Sequence, residues 1–366
     1  MSTHIVSIDN KIYKIIETGK RKVCVSEDYN NIFDKDSGFY AVWGKTKEED
    51  PKYSPIGPDI LDFEISSGKC SMSCEFCYKG NSITKEQKNT SFETFKAVFD
   101  KMGKQLNQIA FGICDIDGCP DFFKMMEYSR ANGVIPNYTT SGVGLTNDLA
   151  KRTSELCGAV AVSVYKKNKN IGYDAIKMFT NEGMTQVNIH AFTSEESFDF
   201  LKEIMNDMVN DSRLSKMNAI VFLGIKPKGR AKGRFSPLSM NKFGELIDFC
   251  LKNNLKFGFD SCSAPRYEKW VKENANFNNE IKEKYLSMSM SCESFLSSAY
   301  INCEGFSFPC SFCEGEPGWE EGVNVLDKNS FLDVWYDERM VKWRNNLLSC
   351  EKNNCRKCMM FEEINI

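Results

Sequence analysis

The chain has 366 residues, 42% of them hydrophobic, with 47 Lys and Arg against 50 Asp and Glu. A net charge of −3 carries no electrostatic footprint for a nucleic acid, and no apolar stretch approaches the length of a membrane span. The N-terminus shows no signal-peptide core, so a cytoplasmic chain of one large domain with an appendage, or two domains, is expected.

Residues 1–58 contain "KIYKIIE" and "RKVCVSE", which alternate like a hairpin. The proline-rich "EEDPKYSPIGPD" follows, so a short N-terminal β extension is expected. From residue 59 the pattern changes. "DILDFEIS" (59–66) reads as a buried strand. "NTSFETFKAVFDKMGKQLNQ" reads as a helix, with Thr90 and Glu93 in the form of a capping box. "QIAFGI" (108–113) is a strand, and "PDFFKMMEYSRANG" (120–133) is a helix closed by Gly133. "VIPNYTT" is a strand, and "TNDLAKRTSELCG" is a helix opening at Thr146. Strands follow at 159–165, 185–192 and 219–225, with helices near 171–183 and 197–210. "NKFGELIDFCLKNN" and "LKFGFDS" make a last helix and strand. Alternating strands and amphipathic helices imply βαβ units on a parallel sheet. Six or seven such units curl toward a barrel or partial barrel, with chemistry at the C-terminal ends of its strands.

Cysteine is the anomaly. Sixteen are present against two histidines, His4 and His190. A reduced chain has no use for a disulfide framework, so clustered cysteines read as metal ligands. They gather at 70–77 and 292–358. So few histidines argue against His-bearing zinc sites, and sulfur-only sites suit zinc or iron–sulfur clusters. In "KCSMSCEFCYKG" (69–80), Cys70, Cys74 and Cys77 fall directly after the first strand. A tetrahedral zinc wants a fourth ligand. A [4Fe–4S] cluster held by three thiolates leaves one iron open to a small molecule.

"CSMSCEFC", with Phe76 before the third cysteine, resembles the C-x3-C-x-φ-C signature of the radical S-adenosylmethionine (SAM) superfamily. There the motif follows the first strand of a partial (β/α)6 barrel of TIM type. The resemblance implies that Cys70, Cys74 and Cys77 hold a [4Fe–4S] cluster whose fourth iron binds SAM. Reductive cleavage would then yield methionine and a 5′-deoxyadenosyl radical, with a flavodoxin or ferredoxin-type protein as reductant. Tyr78 after the third cysteine is common in the family. Many members carry "GGEP" after the second strand; here Ile113-Cys114-Asp115-Ile116 lies over it. The aligned glycines are lost, Asp115 stands in for the acid, and Asp117 is an alternative. "YTTSG" (138–142) resembles the family's "TNG" turn, with Ser141 in place of Asn. Ser163 and Asn188 mark the fourth and fifth strand ends, as SAM ligands or satisfied core groups. His190 shares a strand face with Asn188 and reads as a packed histidine. Leu223 is placed to pack on adenine. Lys226, Lys228 and Arg230 face the SAM carboxylate, an acidic substrate or solvent.

"CESFLSSAYINCEGFSFPC" runs from Cys292 through Gly305 to Cys310. It resembles the C-x(9–15)-G-x4-C opening of the SPASM and twitch domains, and "CEKNNCRKC" supplies Cys350, Cys355 and Cys358. The long SPASM run is absent. The shorter twitch pattern is fitted by Cys292, Cys310, Cys355 and Cys358, with Cys313, Cys350 and Cys303 competing; it implies one auxiliary cluster, with a four-cysteine zinc ribbon as the alternative. Cys262 after the seventh strand is an extra ligand, a hydrogen-atom donor or a core thiol. Cys24, Cys157 and Cys250 read as core. The expected layout is a β extension at 1–58, a radical SAM partial barrel at 59–265 and a Cys-rich auxiliary domain at 266–366. The expected activity is radical modification of a ribosomally made peptide. Oxidation of a small molecule is the alternative, and a non-catalytic zinc-stabilised binding protein is the alternative of another class.

Overall fold

The computed structural model describes residues 1–351 and 355–364. The chain opens with a five-stranded antiparallel meander: β1 (Ser2–Ile8), β2 (Lys11–Glu17), β3 (Arg21–Val25), β4 (Asn30–Asp34) and β5 (Tyr40–Trp43). The expected hairpin is its β2–β3 pair. The β1–β2 turn is Asp9-Asn10, both at positive φ (50° and 64°), as a two-residue hairpin matched to strand twist requires. One face of the meander buries Tyr13, Ile15 and Cys24 with Tyr29 and Ile56.

The parallel sheet begins at β6 (Ile60–Glu64). A small antiparallel pair follows, β7 (Ser66–Ser67) and β8 (Lys88–Asn89). Then come α1 (Phe92–Phe99), β9 (Gln108–Gly112), α2 (Phe122–Ala131), β10 (Ile135–Thr140), α3 (Asn147–Leu156) and β11 (Ala159–Ser163). The alternation continues through α4 (Lys169–Asn181), β12 (Val187–Thr193), α5 (Phe198–Asn210), β13 (Ala219–Gly224), α6 (Met240–Lys252) and β14 (Phe257–Phe259). Two helices follow, α7 (Ala264–Glu273) and α8 (Asn279–Leu286). Strands β6 and β9 to β14 lie side by side in chain order, every neighbouring pair parallel. This is a mixed α/β architecture with one large parallel sheet, as the resemblance implied. Helix α3 opens at Thr146, whose hydroxyl accepts from the Leu149 N–H. Gly133 stands just past α2 at φ 78°, where L side chains are strained.

Two details differ from expectation. Helix α1 is capped by Ser91, not Thr90, and ends at Phe99. The Thr90 hydroxyl instead donates to the Cys303 carbonyl at 2.9 Å. A tertiary acceptor thus takes the group that the local pattern assigned to the cap. The larger difference lies past residue 290. Strand β15 (Ser298–Ile301) pairs parallel with β6, on the side opposite β9. Strands β16 (Phe306–Phe308) and β17 (Val323–Asn324) then extend the sheet antiparallel. The cysteine-rich region therefore continues the same ten-stranded sheet. Helices α9 (Phe331–Trp335) and α10 (Glu338–Ser349) complete the order.

Asp59, just before β6, ties these parts together. Its carboxylate accepts from Tyr40 at 2.7 Å and Tyr29 at 3.3 Å, both of the meander, and from Asn107 at 3.4 Å. Its N–H donates to the Ser297 carbonyl. Burial pushes its pKa up to about 7 despite the tyrosine donors. The folded chain thus keeps the proton that the unfolded chain loses near the ordinary carboxyl pKa. Stability from this group is present at low pH and lost as pH rises toward 7. Asp59→Asn should flatten that stretch of the stability profile, measured as urea midpoints between pH 4 and 7.5. An unchanged slope would contradict the assignment.

Candidate active site

Between β7 and β8 the chain runs through residues 68–87 with no helix or strand. Some of its backbone groups pair within the loop, as the Ser82 N–H does with the Gly68 carbonyl at 2.9 Å, and others need partners from elsewhere. Arg230, in the loop after β13, supplies several. It donates to the Cys74 carbonyl at 2.9 and 2.6 Å and to the Asn81 carbonyl at 2.6 Å. Asp115, after β9, accepts from the Ser71 N–H at 2.9 Å and hydroxyl at 2.7 Å. Lys167 donates to the Met72 carbonyl at 3.0 Å. Gly229 passes so close that a Cβ there would stand 2.3 Å from the Tyr78 carbonyl oxygen. No larger residue fits without moving the loop.

So held, Cys70, Cys74 and Cys77 line one cavity of about 490 Å³, which also takes in residues of β6, β9, β12 and β13. That volume is typical of sites that enclose a small organic ligand. The Cys114 thiol, at the position aligned with the lost glycines, donates to Cys70 and holds it below the usual thiol range. Burial, with the nearby Cys77 and Cys70, pushes Cys74 up to about 12. Three interacting thiols beside open space are a donor set that fits a cluster with one iron left for a further ligand. Among the described residues, no three His, Cys, Asp or Glu side chains gather around one point as a single ion requires.

The cavity walls carry several of the expected residues. Phe76 stacks on Phe192 at 4.0 Å between ring centroids and meets Tyr165 edge-on. Tyr78 packs against Phe312 at 4.5 Å. Ser141, Ser163, Leu223 and His190 also face the cavity. Burial lowers His190 to about 4, so it is neutral at physiological pH. Asp115 and Arg230 are placed differently: their hydrogen bonds hold the cysteine loop. Asn188 sits near the N-terminal end of β12, its side-chain oxygen accepting from Asn218 at 2.9 Å. Asp117 is exposed.

Lysines in the loop after β13 are committed to ion pairs. Lys226 is buried against Asp260, which also accepts from Ser263 at 2.5 Å. Lys228 donates to the Phe312 carbonyl and to Glu316, each at 3.0 Å. It thereby fastens the segment after Cys310 to the loop that follows β13. A further group was not anticipated. Lys79 pairs with Glu64 at 3.0 Å and with Glu314, and the Tyr300 hydroxyl stands 3.0 Å from both carboxylates. Asp62 also faces the cavity. The available signal was "DFE": two acids two residues apart on an apolar strand share one face, and that face cannot be core.

A second set of thiols forms behind this wall. Cys310 and Cys313 are 3.5 Å apart. Cys292 is acted on by Cys310 and Cys358, and Cys313 by Cys310 and Cys358. Cys262 joins them beside Cys292 and Cys310, its thiol raised by burial. Cys355 is acted on by Glu268, with burial the larger cause of its raised pKa. Cys350 is exposed, and Cys303 lies toward Glu64 and Lys79.

No family model matches the sequence, and no curated protein is similar to it in sequence. Solved structures are similar in fold. SuiB of Streptococcus suis, bound to its precursor peptide SuiA, aligns over 85% of this chain and 71% of its own, at 15% identity and TM-score 0.61. Native anSMEcpe, with bound AdoMet and Cp18Cys peptide, aligns over 84% of this chain and 88% of its own, at 16% identity and TM-score 0.57. The likeness to both neighbours is one of fold and extends over most of this chain.

Arg230 generates a direct prediction. Charge-assisted hydrogen bonds of this kind contribute roughly 1.5–3 kcal/mol each. Arg230→Met should speed amide exchange across residues 70–82 by about tenfold or more, with α2 to α5 unchanged by mass spectrometry. Uniform exchange across the whole chain would instead show general unfolding.

Proposed function

We propose that this chain is a radical SAM enzyme that modifies a peptide. The observation that carries the reading is the placement of Cys70, Cys74 and Cys77, at signature spacing, on the wall of a large cavity at the C-terminal end of a parallel sheet. Two neighbours in fold were solved with a peptide bound, and this favours a peptide over a small molecule. In this reading the three cysteines hold a [4Fe–4S] cluster. When bound, that cluster supplies the electron that cleaves SAM to a hydrogen-abstracting 5′-deoxyadenosyl radical.

The chain's own residues do the rest. Arg230, Asp115 and Lys167 keep the three thiols in register. The Phe76–Phe192 stack and Leu223 offer an apolar wall for the adenine. Ser141 and Ser163 offer hydroxyls for the polar end of SAM. Neutral His190 gives the wall a polar group without a charge. Residues 266–366 form the auxiliary-cluster region, with Cys292, Cys310 and Cys358 as ligands. The fourth thiolate comes from Cys313 or Cys262, which face this set, and not from Cys355. Lys226 is acted on by Cys262 and Cys358, both of the second set, and offsets part of their negative charge. A flavodoxin or ferredoxin-type protein is the proposed reductant.

Replacing Cys70, Cys74 and Cys77 together by Ala should abolish formation of 5′-deoxyadenosine from SAM and dithionite, with the fold retained. Undiminished cleavage would refute the radical reading. Two four-iron clusters give roughly eight irons per chain after anaerobic reconstitution. The triple variant should keep about half. Cys292→Ala with Cys310→Ala should lose the other half, and Cys355→Ala should lose none. Iron loss in the Cys355 variant would restore the ligand set read from the twitch pattern.

A further inference from the structure

The cavity holds one acid that nothing in the protein answers. Asp62 is the middle residue of β6, opposite Ala110 of β9 and Tyr300 of β15. Protein surrounds it on every side, yet its side chain is wetted from the cavity it faces. Among the described residues, none forms a hydrogen bond or ion pair with its carboxylate. The one charged group that acts on it is another acid, Glu293.

The other charges around the cavity are matched. Lys226 is paired with Asp260. Lys79 is shared by Glu64 and Glu314, an excess of acid. His190 is neutral at physiological pH. The unmatched charge of the cavity is therefore negative, and its free member is Asp62. Only the cavity's water answers this carboxylate, and desolvation by the surrounding protein together with Glu293 pushes Asp62 up to about 6. Enclosed acids without partners mark places where a ligand supplies the partner.

Space is provided as well. Ala110 and Gly112 are the cavity-facing residues of β9 beside Asp62 and Glu64. A Cβ on Gly112 would stand 3.1 Å from the Glu64 Cα, so the small side chains there keep the floor open. Asp62 lies two residues below Glu64 along the strand, about 7 Å deeper than the strand end from which the cysteine loop departs. A substrate that presents a carbon near the three cysteines therefore reaches Asp62 with a group several bonds away.

We infer that Asp62 is the specificity residue of this cavity, pairing with a positively charged amino or guanidinium group of the substrate, as a lysine or arginine side chain carries. The inference rests on the reading of this cavity as the substrate site. It needs no step of the radical chemistry.

The test uses side-chain analogues on the cluster-loaded protein with SAM present. n-Butylammonium and n-propylguanidinium are compared with n-butanol and butyrate by ligand-observed NMR titration. The cations should bind at least about tenfold tighter than butanol, and butyrate weakest. Asp62→Asn should remove the preference and Asp62→Glu should retain it, with SAM affinity unchanged in both. Equal cation affinity in the wild type and Asp62→Asn, no cation binding by the wild type, or a preference for butyrate would each overturn the inference. So would weakened SAM binding in Asp62→Asn with cation binding intact, since the acid would then serve SAM. If Asp62→Asn does not fold, the wild-type ranking and Asp62→Glu still decide. SAM cleavage is measured on the same preparations. Its absence alongside a clear cation preference would sink the radical reading and leave the role of Asp62 standing.

Discussion

The cysteine loop has no ladder of its own, and that constraint organises much of the molecule. A backbone outside helix and sheet leaves its carbonyls and N–H groups to be satisfied one by one. Here, beside turns within the loop itself, the partners come from three different strand ends: Asp115 after β9, Lys167 after β11 and Arg230 after β13. Each is a charged side chain bonded to a main-chain group, the stronger kind of hydrogen bond. The loop's shape is thus a property of the sheet, because the sheet spaces the three clamps. This also accounts for a departure from the family pattern. With the glycines after β9 replaced, Asp115 faces the Ser71 backbone and Cys114 faces Cys70. The position supports the cysteines from behind.

Charge is handled with the same economy. Lys79, Lys226 and Lys228 look on paper like a basic lining for an acidic ligand. In the fold each is tied to a carboxylate, and two of them reach the segment around residue 314. Lys79 and Lys228 act as struts between the parallel sheet's loops and the C-terminal region. What remains for a ligand is an aromatic wall, a few hydroxyls and uncompensated acid.

The sequence made the repeating part of the fold legible and left the joining parts obscure. The strands from β6 to β14 carry dense apolar runs between amphipathic helices, and hydrophobic period alone places them. Strands β15 to β17 have two to four residues each, too short for a period, and cysteine spacing dominated that region. The three loop cysteines and Phe76 were legible because their spacing is local. The role of Arg230 was not, since it spans about 150 residues to reach its acceptors. Asn188 and His190 share a strand face, yet only depth along the strand separates a cavity residue from a remote one. Cys355 was read from local spacing, whereas the influence of Cys292 and Cys310 on Cys262, distant in sequence, arises only through the fold.

The pairing of β15 with β6 has a mechanical meaning. Strand β6 launches the cysteine loop, and its free edge is covered by a strand from the far end of the chain. The C-terminal region is therefore no lid: it cannot swing aside without tearing a ladder out of the central sheet. The separation of the two thiol sets is then fixed by strand spacing, like two components soldered to one board.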